Sequence, residues 1–211
     1  MTKSDLYEIW SRVPVDYYQK GVRRNPYQRI WHERKIRKAK SIIRDLKFKK
    51  VLDVGCASGF MLSQIAREFP NAKYFGIDAY DKAIEFANKK YSHINFKVGV
   101  AEKLPYKDES FDLIICYETM EHVTHPKVAL LEMRRVLKKD GALILAMDSG
   151  SLLFRAVWFV WENTKGRVWQ DAHLHPFHHE ELEALIKRTK WKVRKKFFTH
   201  FGMEVVFVLQ K

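Results

Sequence analysis

The ten residues VLDVGCASGF, at positions 51–60, constrain the fold of this chain more than any other stretch. An apolar run meets an acid and two glycines separated by small residues, and an apolar helical pattern follows at once. The pattern predicts a buried strand, a tight turn and a helix. Gly55, Ala57, Ser58 and Gly59 leave room for a ligand beside the backbone, and the amides that begin the helix attract a negative group. Asp53 can accept hydrogen bonds from the turn or from a ligand ammonium group.

Strand and helix patterns alternate along the rest of the chain. Apolar runs predict strands, and apolar residues at helical spacing predict helices between them. The predicted strands are 49–55, 73–78, 94–98, 111–117 and 141–147, and the predicted helices are 27–46, 62–69, 81–90, 126–137 and 179–189. Near-continuous apolar strands between amphipathic helices indicate a parallel sheet that is covered on both faces. The sequence therefore predicts one α/β domain with a doubly wound sheet.

The end of the chain departs from this alternation. Two strand-like runs, 191–200 and 203–210, have only Phe201 and Gly202 between them. So short a connection can join only antiparallel neighbours. We therefore expect a C-terminal hairpin at the edge of the sheet.

The net charge of +14 is concentrated in two flanks. Residues 20–50 carry 13 Lys and Arg against two acids, and residues 187–200 add seven basic side chains and no acid. Residues 51–186 are about neutral, with 16 basic and 19 acidic side chains. We interpret residues 1–47 as a basic N-terminal helical cap on a domain formed by residues 48–211.

The basic flanks leave three kinds of role open. They could bind a nucleic acid or an anionic membrane surface, or serve solubility alone. Tyr17, Tyr18, Tyr27 and Trp31 lie among the cations of the first flank, and aromatic rings in such a setting can stack on bases. No recognised RNA-binding module precedes the domain, so nucleic acid is not the favoured partner.

The cysteines and the apolar windows bear on the location of the protein. The N-terminus lacks a basic start followed by a long apolar stretch, and no window approaches the roughly 20 apolar residues that cross a bilayer. Cys56 and Cys116 fit no disulfide framework and no paired metal-ligand spacing. We expect free thiols and a cytoplasmic protein.

Asp78 ends the second predicted strand, 25 residues beyond Asp53. A carboxylate at this place can accept both hydroxyls of a ribose, and its alternative role is to cap helix 81–90. The small residues run Gly55, Ala57, Gly59 rather than in the G-x-G-x-x-G spacing that a dinucleotide pyrophosphate needs. The spacing therefore favours a ligand without a pyrophosphate.

Three segments together resemble a known family. They are VLDVGCASGF, YFGID and AEKLPYKDESFDLIICYETMEHVTHPKVALLEMRRVLKKDGALILAM, within residues 48–148. They are similar to the class I S-adenosylmethionine (SAM)-dependent methyltransferases, in the type 11 group that includes ubiquinone-biosynthesis enzymes. The resemblance implies a Rossmann-like sheet of about seven strands, mostly parallel, with SAM as cofactor and S-adenosylhomocysteine as product.

The resemblance also implies the contacts of SAM. The turn from Gly55 to Gly59 would hold its methionine part, Asp78 its ribose hydroxyls, and Ala79 with Tyr80 its adenine. The implied cofactor-binding residues are Asp53, Gly55, Cys56, Ala57, Ser58, Gly59, Asp78, Ala79, Val100, Ala101, Glu102 and Tyr117.

Two positions depart from the family pattern. Val100 stands where the family usually has an acid that receives the adenine amine, so Glu102 or water would have to replace that acceptor. The segment LKKDG, at 137–141, stands where Pro-Gly is common, and we expect that difference to affect only a turn.

Tyr117 and Glu118 follow the fourth strand, at the place that lines the SAM sulfonium in the family. Glu121 and His122 come next, close to the expected point of methyl transfer. We take His122 and Glu118 as catalytic candidates, with His122 either accepting a proton or fixing the loop by a hydrogen bond. A base is needed only if the acceptor is a hydroxyl or an acidic carbon.

Residues 151–178 lie where this fold inserts its acceptor-binding element. The aromatic stretch 151–169 is too short to cross a membrane, so it is a packed helix or a lid over an apolar acceptor, with peripheral lipid contact as a further reading. The histidines of HLHPFHHEEL match no familiar zinc spacing, so we predict no metal. The acceptor-binding candidates are Tyr18, Trp158, His173 and His175.

The sequence therefore predicts a SAM-dependent methyltransferase that acts by in-line transfer on a small or lipid-like, anionic acceptor. Two alternatives stay open. One is an RNA methyltransferase that uses the basic flanks, and the other is a SAM-binding protein without catalysis, for which Val100 is the only sign. Neither the acceptor atom nor the oligomeric state follows from the sequence.

Overall fold

A computed structural model describes residues 7–211 of the chain except 9, 165, 170–173 and 176. The strands are β1 Lys50–Val54, β2 Lys73–Asp78, β3 Asn95–Val98, β4 Phe111–Tyr117, β5 Leu137–Asp148, β6 Lys192–Thr199 and β7 Glu204–Gln210. The helices are α1 Tyr17–Arg24, α2 Pro26–Arg44, α3 Phe60–Glu68, α4 Asp81–Lys90, α5 Pro126–Val136, α6 Leu152–Glu162 and α7 His179–Arg188, with 3₁₀ turns at Arg167–Trp169 and His200–Gly202.

The described strands form one seven-stranded sheet in the order β3-β2-β1-β4-β5-β7-β6. The first five strands pair in parallel, and β7 runs antiparallel to both β5 and β6. This confirms the predicted doubly wound fold with an antiparallel C-terminal hairpin. The strand order reverses between β1 and β4, and ligands bind outside the carboxyl ends of the strands at such a point.

Both faces of the sheet are buried. On β1, Leu52 belongs to one apolar cluster and Val51 to the cluster on the opposite face, since neighbouring side chains of a strand point to opposite sides. Ile114 and Ile115 of β4 divide in the same way. Near-continuous apolar strands are therefore required here, as the sequence predicted.

The N-terminal helices begin and end at clear local signals. The side-chain oxygen of Asn25 accepts hydrogen bonds from the amides of Tyr27 (3.0 Å) and Gln28 (3.3 Å), and Pro26 takes the first helical position. Asn25 therefore caps α2 and separates it from α1. The basic flank forms two helices, with the second close to the predicted range 27–46.

The segment predicted as a turn at 137–141 is a strand. Helix α5 ends at Val136 and β5 begins at Leu137, which pairs with Phe111 across a shift in register. Lys138 also forms an ion pair with Asp112 at 2.7 Å. Pairing with the neighbouring strand therefore extends β5 by four residues beyond the predicted start at 141.

The described helices include none with the length and apolar character needed to cross a membrane. Cys56 and Cys116 are buried free thiols, as predicted. The cytoplasmic location stays a prediction.

Candidate active site

A cavity of about 1090 Å³ opens at the carboxyl ends of β1, β2 and β4. Its wall includes Gly55 and Ala57 after β1, Asp78 at the end of β2, and Glu118 after β4. Pockets for single drug-sized ligands span roughly 300–1,000 Å³. The cavity is therefore large enough for a nucleoside-sized ligand together with a second molecule.

The turn after β1 is held open by its backbone conformation. Gly55 and Gly59 have φ angles of 76° and 72°, in the left-handed region that favours glycine. A β-carbon on Gly55 would lie 2.8 Å from Cβ of Thr119 and closer still to its hydroxyl. The amides of Gly55 and Cys56 both donate to the Ile77 carbonyl, at 2.8 and 3.1 Å, and so tie the turn to β2.

Asp78 joins that turn to the next loop. Its two carboxylate oxygens accept from the amides of Ala57 (2.7 Å) and Tyr80 (2.9 Å). Burial raises the pKa of Asp78, although the bonds from these amides oppose the rise. The Ala79 amide also acts on this carboxylate. A carboxylate has about four acceptor sites, so Asp78 still has acceptor capacity at the cavity wall.

Three of the predicted cofactor residues lie behind the wall. Asp53 is buried, and burial together with the charge of Asp78 raises its pKa to about 8. Cys56 and Gly59 are also absent from the cavity lining, and Gly59 donates its amide to the Cys56 carbonyl at 2.9 Å. These residues shape the turn from within, while Gly55, Ala57 and Ser58 face the cavity.

The predicted adenine contacts meet at one end of the cavity. Ala79, Val100, Ala101 and Glu102 all line it. One carboxylate oxygen of Glu102 already accepts from the amides of Thr124 (2.9 Å) and His125 (3.1 Å), so Glu102 also anchors the loop before α5. Val100 is 38% exposed and presents an apolar surface where the family usually has an acid.

The N-terminal segment closes over this end of the cavity. The hydroxyl of Tyr7 donates to Asp81 at 2.8 Å, and the Tyr7 ring lies edge-on to Tyr80 with 5.8 Å between centroids. On α1, the side-chain amide of Gln19 donates to the Ser58 hydroxyl at 3.1 Å. The basic cap therefore contributes directly to the wall of the site.

A buried cluster of charges lies beside the predicted point of methyl transfer. The ammonium group of Lys35 on α2 donates to the carboxylate of Glu118 and lies 3.6 Å from Glu204 Oε1. Burial opposes ionisation of Glu118, but Lys35 outweighs burial and lowers its pKa to about 2. Glu118 also has a φ of 47°, a conformation that a non-glycine residue rarely adopts.

The carboxyl group of Glu121, near the Lys35–Glu118 cluster, differs from that of Glu118 in having no bonded partner among the described residues. It is 2% exposed, and neither of its carboxylate oxygens has a hydrogen-bond partner among the described residues. Burial raises its pKa to about 8, and the nearby charge of Glu118 contributes to the rise. Its backbone carbonyl accepts from the amides of Leu174 and His175, at 2.9 and 3.0 Å, which ties residues 174–175 to this loop.

The raised pKa values of Glu121 and Asp53, both about 8, predict the pH dependence of stability. Unfolded carboxyls titrate near pH 4, so the folded chain binds more protons between about pH 5 and 8. The contribution of Glu121 and Asp53 to the free energy of unfolding is therefore complete below the pKa of the unfolded chain, about 4. It is lost as the pH rises toward their folded pKa of about 8. Urea unfolding at a series of pH values should show stability falling by about 1.4 kcal/mol per pH unit for each group.

A matched pair of variants separates the contribution of Glu121 from that of other groups. Glu121→Gln removes one buried titrating carboxyl and should lower the slope by its share of about 1.4 kcal/mol per pH unit, whereas Glu85→Gln, on the exposed side of α4, should leave it unchanged. An unchanged slope in the Glu121 variant would show that this carboxyl is ionised in the folded chain.

One part of the cavity wall, which we call the acceptor end, is aromatic. Tyr18, His32 and Trp158 line it, and the Tyr18 ring meets His32 edge-on at 5.2 Å. Burial and the charge of Lys35 lower the pKa of His32 to about 4, so its imidazole is neutral at physiological pH. This end can enclose an apolar body and offer it a few polar atoms.

The predicted catalytic and acceptor residues divide into three groups. Glu118, His122, Tyr18 and Trp158 line the cavity, as does Tyr117. His175 lies outside the lining, and its ring stacks on Phe177 with 5.4 Å between centroids. His173 lies outside the described residues. The described residues hold no group of three or more side chains placed to bind a metal ion.

Sequence reasoning missed Lys35, His32 and Asp148, which all belong to the cavity region. Lys35 could have been found, because it precedes the buried residues Ala39 and Ile43 at four-residue spacing. A lysine in register with the buried face of a helix indicates a buried charge. No local pattern marks His32 or Asp148.

Residues 45–187, about two thirds of the chain, match the family described as a methyltransferase domain. A demethylmenaquinone methyltransferase of Thermotoga maritima is 31% identical over 115 residues, which cover 54% of this chain and 48% of that protein. A fatty-acid O-methyltransferase of Mycolicibacterium smegmatis is 34% identical over 99 residues, covering 46% and 36%. The chain thus spans half or less of the length of these curated relatives.

A solved structure matches over nearly the whole chain. It is a SAM-dependent methyltransferase of Thermotoga maritima, described as a possible histamine N-methyltransferase, with a TM-score of 0.69 and 26% identity. The match covers 98% of this chain and 99% of that one. Together with the sheet order and the glycine turn, it defines a class I SAM-dependent methyltransferase. This chain belongs to the methyltransferase domain family, and its cofactor is SAM.

Proposed function

We propose that the chain transfers a methyl group from SAM to a small or lipid-like acceptor. The observation that carries this proposal is that the glycine turn and Asp78 line the same cavity as a group of aromatic side chains. Bound SAM supplies an activated methyl group, so the protein has mainly to align a nucleophile with it. The volume of about 1090 Å³ accommodates both partners.

The residues of the glycine turn and of the loops after β2 and β3 fit SAM by their hydrogen-bond donors and acceptors. The backbone of Gly55, Ala57 and Ser58 is open to the methionine part, and the remaining acceptor capacity of Asp78 suits the ribose hydroxyls. Ala79, Val100 and Ala101 offer apolar surface to the adenine ring. With Glu102 bonded to the loop before α5, we assign the adenine amine to water or to the second oxygen of that carboxylate.

Glu118 and His122 take different roles in this proposal. A carboxylate with a pKa of about 2 is a poor base at neutral pH, so Glu118, paired with Lys35, fixes the wall rather than accepting a proton. His122 lines the cavity, and its amide donates to the Thr119 carbonyl at 2.9 Å. Where the acceptor is a hydroxyl, His122 accepts its proton.

We assign the segment 151–178 to the acceptor. Phe154 and Trp158 of α6 stack with 5.7 Å between centroids and both face the cavity, so α6 covers the acceptor end as a lid. Tyr18 of α1 lies on the cavity wall as well. An apolar lining of this kind suits a lipid-like acceptor, such as the demethylmenaquinone and the fatty acid in the names of the two relatives above. Anionic character stays a prediction that rests on net charge alone.

RNA is the less favoured substrate. Tyr17, Tyr18 and Trp31 were the aromatic side chains thought to stack on bases, but they are half-buried and line the cavity. Trp31 packs on His200 with 4.0 Å between ring centroids. Of the four aromatic residues in the basic flank, Tyr27 is the one that is mainly exposed, at 74%.

Asp78→Asn tests the cofactor site. The change removes the charge that strengthens the two ribose hydrogen bonds, and should weaken SAM binding by about 1–3 kcal/mol, or roughly 5- to 150-fold in Kd. Isothermal titration calorimetry with SAM measures the effect. Glu85→Gln, an exposed carboxylate on α4, is the control that should bind as the natural chain does. Equal affinity of both variants would show that Asp78 does not hold the ribose.

Transfer of a labelled methyl group tests the reaction itself. The chain is incubated with labelled SAM and a cell extract, which is then separated into lipid, small-molecule, RNA and protein fractions. We expect label in the lipid or small-molecule fraction. Label in RNA would replace the proposed acceptor class, and SAM binding without any transfer would identify a binding protein without catalysis.

A further inference from the structure

The mouth of the cavity carries exposed apolar side chains from three elements. Tyr27 and Ile30 of α2 and Phe201 of the β6–β7 turn line the cavity and are 74%, 50% and 82% exposed. On α6, Val157 also lines the cavity and is 46% exposed. These side chains are exposed parts of the lining of the cavity that also contains the glycine turn.

Helix α6 is apolar on both of its sides. Phe154, Trp158 and Trp161 face the cavity, and the side away from it carries exposed apolar residues. The outward residues are Leu152, Leu153, Phe159 and Val160. The helix has only Arg155 and Glu162 as charged residues. A helix that is apolar on every side is normally buried, so this one requires a cover that the described residues do not supply.

We call the exposed apolar residues of α6 together with Tyr27, Ile30 and Phe201 the mouth surface, because both sets belong to elements that line the same cavity. Its neighbours are cationic. The guanidinium carbon of Arg34 lies 5.6 Å from the centre of the Phe201 ring. Helices α1 and α2 lie largely within residues 20–50, which carry a net charge of +11. Among the described residues, Arg29 and Arg34 are exposed and have no acidic partner within 4 Å.

We infer that the mouth surface docks on an anionic lipid bilayer, with α6 lying in the interface and the basic helices facing lipid phosphates. A helix of 11 residues is about 16 Å long, too short to cross a bilayer but suited to lie along its surface. Apolar side chains enter the acyl boundary while arginines attract anionic headgroups. In this position the cavity opens toward the lipid phase.

A second copy of the chain fits the mouth surface less well. A symmetric contact places the same patch of both copies together, and so would bring two basic flanks of +11 against each other. The positive charge of the flank therefore favours a negatively charged partner over a second copy of the chain. Docking goes beyond the proposed methyl transfer and is measured without it.

Flotation of the full chain with lipid vesicles tests the inference. We expect binding to vesicles of phosphatidylcholine mixed with phosphatidylglycerol, little binding to phosphatidylcholine alone, and release as salt rises. Leu152→Ser/Phe159→Ser should lower partitioning roughly tenfold or more, because two apolar side chains leave the interface. Arg29→Gln/Arg34→Gln should weaken binding to the anionic vesicles alone.

The matched control is Val128→Ser/Leu131→Ser, which changes two exposed apolar residues of α5 that lie outside the cavity lining. It should bind vesicles as the natural chain does. SAM affinity, measured by calorimetry, should be the same in the α6 variant, since Leu152 and Phe159 do not line the cavity. Vesicle binding without SAM binding would retain docking and reject the proposed function.

Three results would overturn docking. One is equal binding to neutral and anionic vesicles. Another is an α6 variant that floats with vesicles as well as its control does. The third is no binding to the anionic vesicles. A dimer, seen by sedimentation velocity, that the α6 variant loses would then identify a second copy as the cover of the mouth surface.

Discussion

Replacing Lys35 by methionine should lower the free energy of unfolding by about 3–5 kcal/mol, because it leaves buried carboxylates without their cation. Lys35 is 4% exposed and pairs with Glu118 and Glu204. Asp148 lies nearby, and burial raises its own pKa well above the ordinary value. Methionine has a similar shape, so little of the loss can come from a cavity. Urea unfolding at pH 7 measures the change.

The pH dependence of this loss identifies its cause. In the natural chain Lys35 lowers the pKa of Glu118 to about 2, so its carboxylate contributes stability above the unfolded pKa and loses it only as pH falls toward 2. Without Lys35, burial raises that pKa, and ionisation destabilises the folded chain as pH rises. The loss should therefore be larger at pH 8 than at pH 5. Arg37→Met, at an exposed position of the same helix, is the control. A loss no larger than that of the control would mean that the buried acids are neutral.

Gly55→Ala should destabilise the chain by several kcal/mol and abolish SAM binding. A left-handed backbone costs a residue with a β-carbon roughly 1–2 kcal/mol, and the φ of Gly55 is 76°. The new methyl group would also collide with Thr119, whose single hydroxyl proton is shared between the carbonyls of Val54 (3.2 Å) and Tyr117 (2.9 Å). Thermal unfolding and calorimetry with SAM measure the two effects.

Gly202→Ala separates backbone strain from collision. Gly202 has a φ of 86°, but a β-carbon there would meet nothing within 4 Å. Its loss of stability should be limited to the backbone term of roughly 1–2 kcal/mol. If Gly55→Ala costs no more than Gly202→Ala, Thr119 can move aside, and the close approach of the two loops does not shape the site.

Both sets of variants concern the way in which the N-terminal cap completes the site. Lys35 belongs to α2, yet it sets the charge of Glu118 at the end of β4. Gln19 of α1 holds Ser58 of the glycine turn, and Tyr7 holds Asp81. The methyltransferase sheet thus provides the floor of the cavity, and the basic cap provides much of its cover. We propose that the segment 1–47 is needed for an intact site and not for solubility alone.

Much of the fold could be predicted from local patterns. The strands at 73–78 and 111–117 and the helix at 81–90 have the predicted bounds, because each has a clear apolar periodicity and a clear stop signal. The start of β5 was wrong by four residues, since Leu137 is extended by pairing with Phe111 rather than by its own sequence. Asp53 was predicted to accept hydrogen bonds from the turn or from a ligand ammonium, and it is buried behind the turn, outside the cavity lining.

The sequence by itself determined the alternation of strands and helices, the glycine turn and the acid after β2, and through them the class of enzyme and its cofactor. These features depend on spacing over a few residues, which the chain carries locally. Only the tertiary structure decided which charges share one buried space and which apolar faces lack a cover. Lys35, Glu118, Asp148 and Glu204 come from widely separated parts of the chain, and only folding brings them within reach of one another.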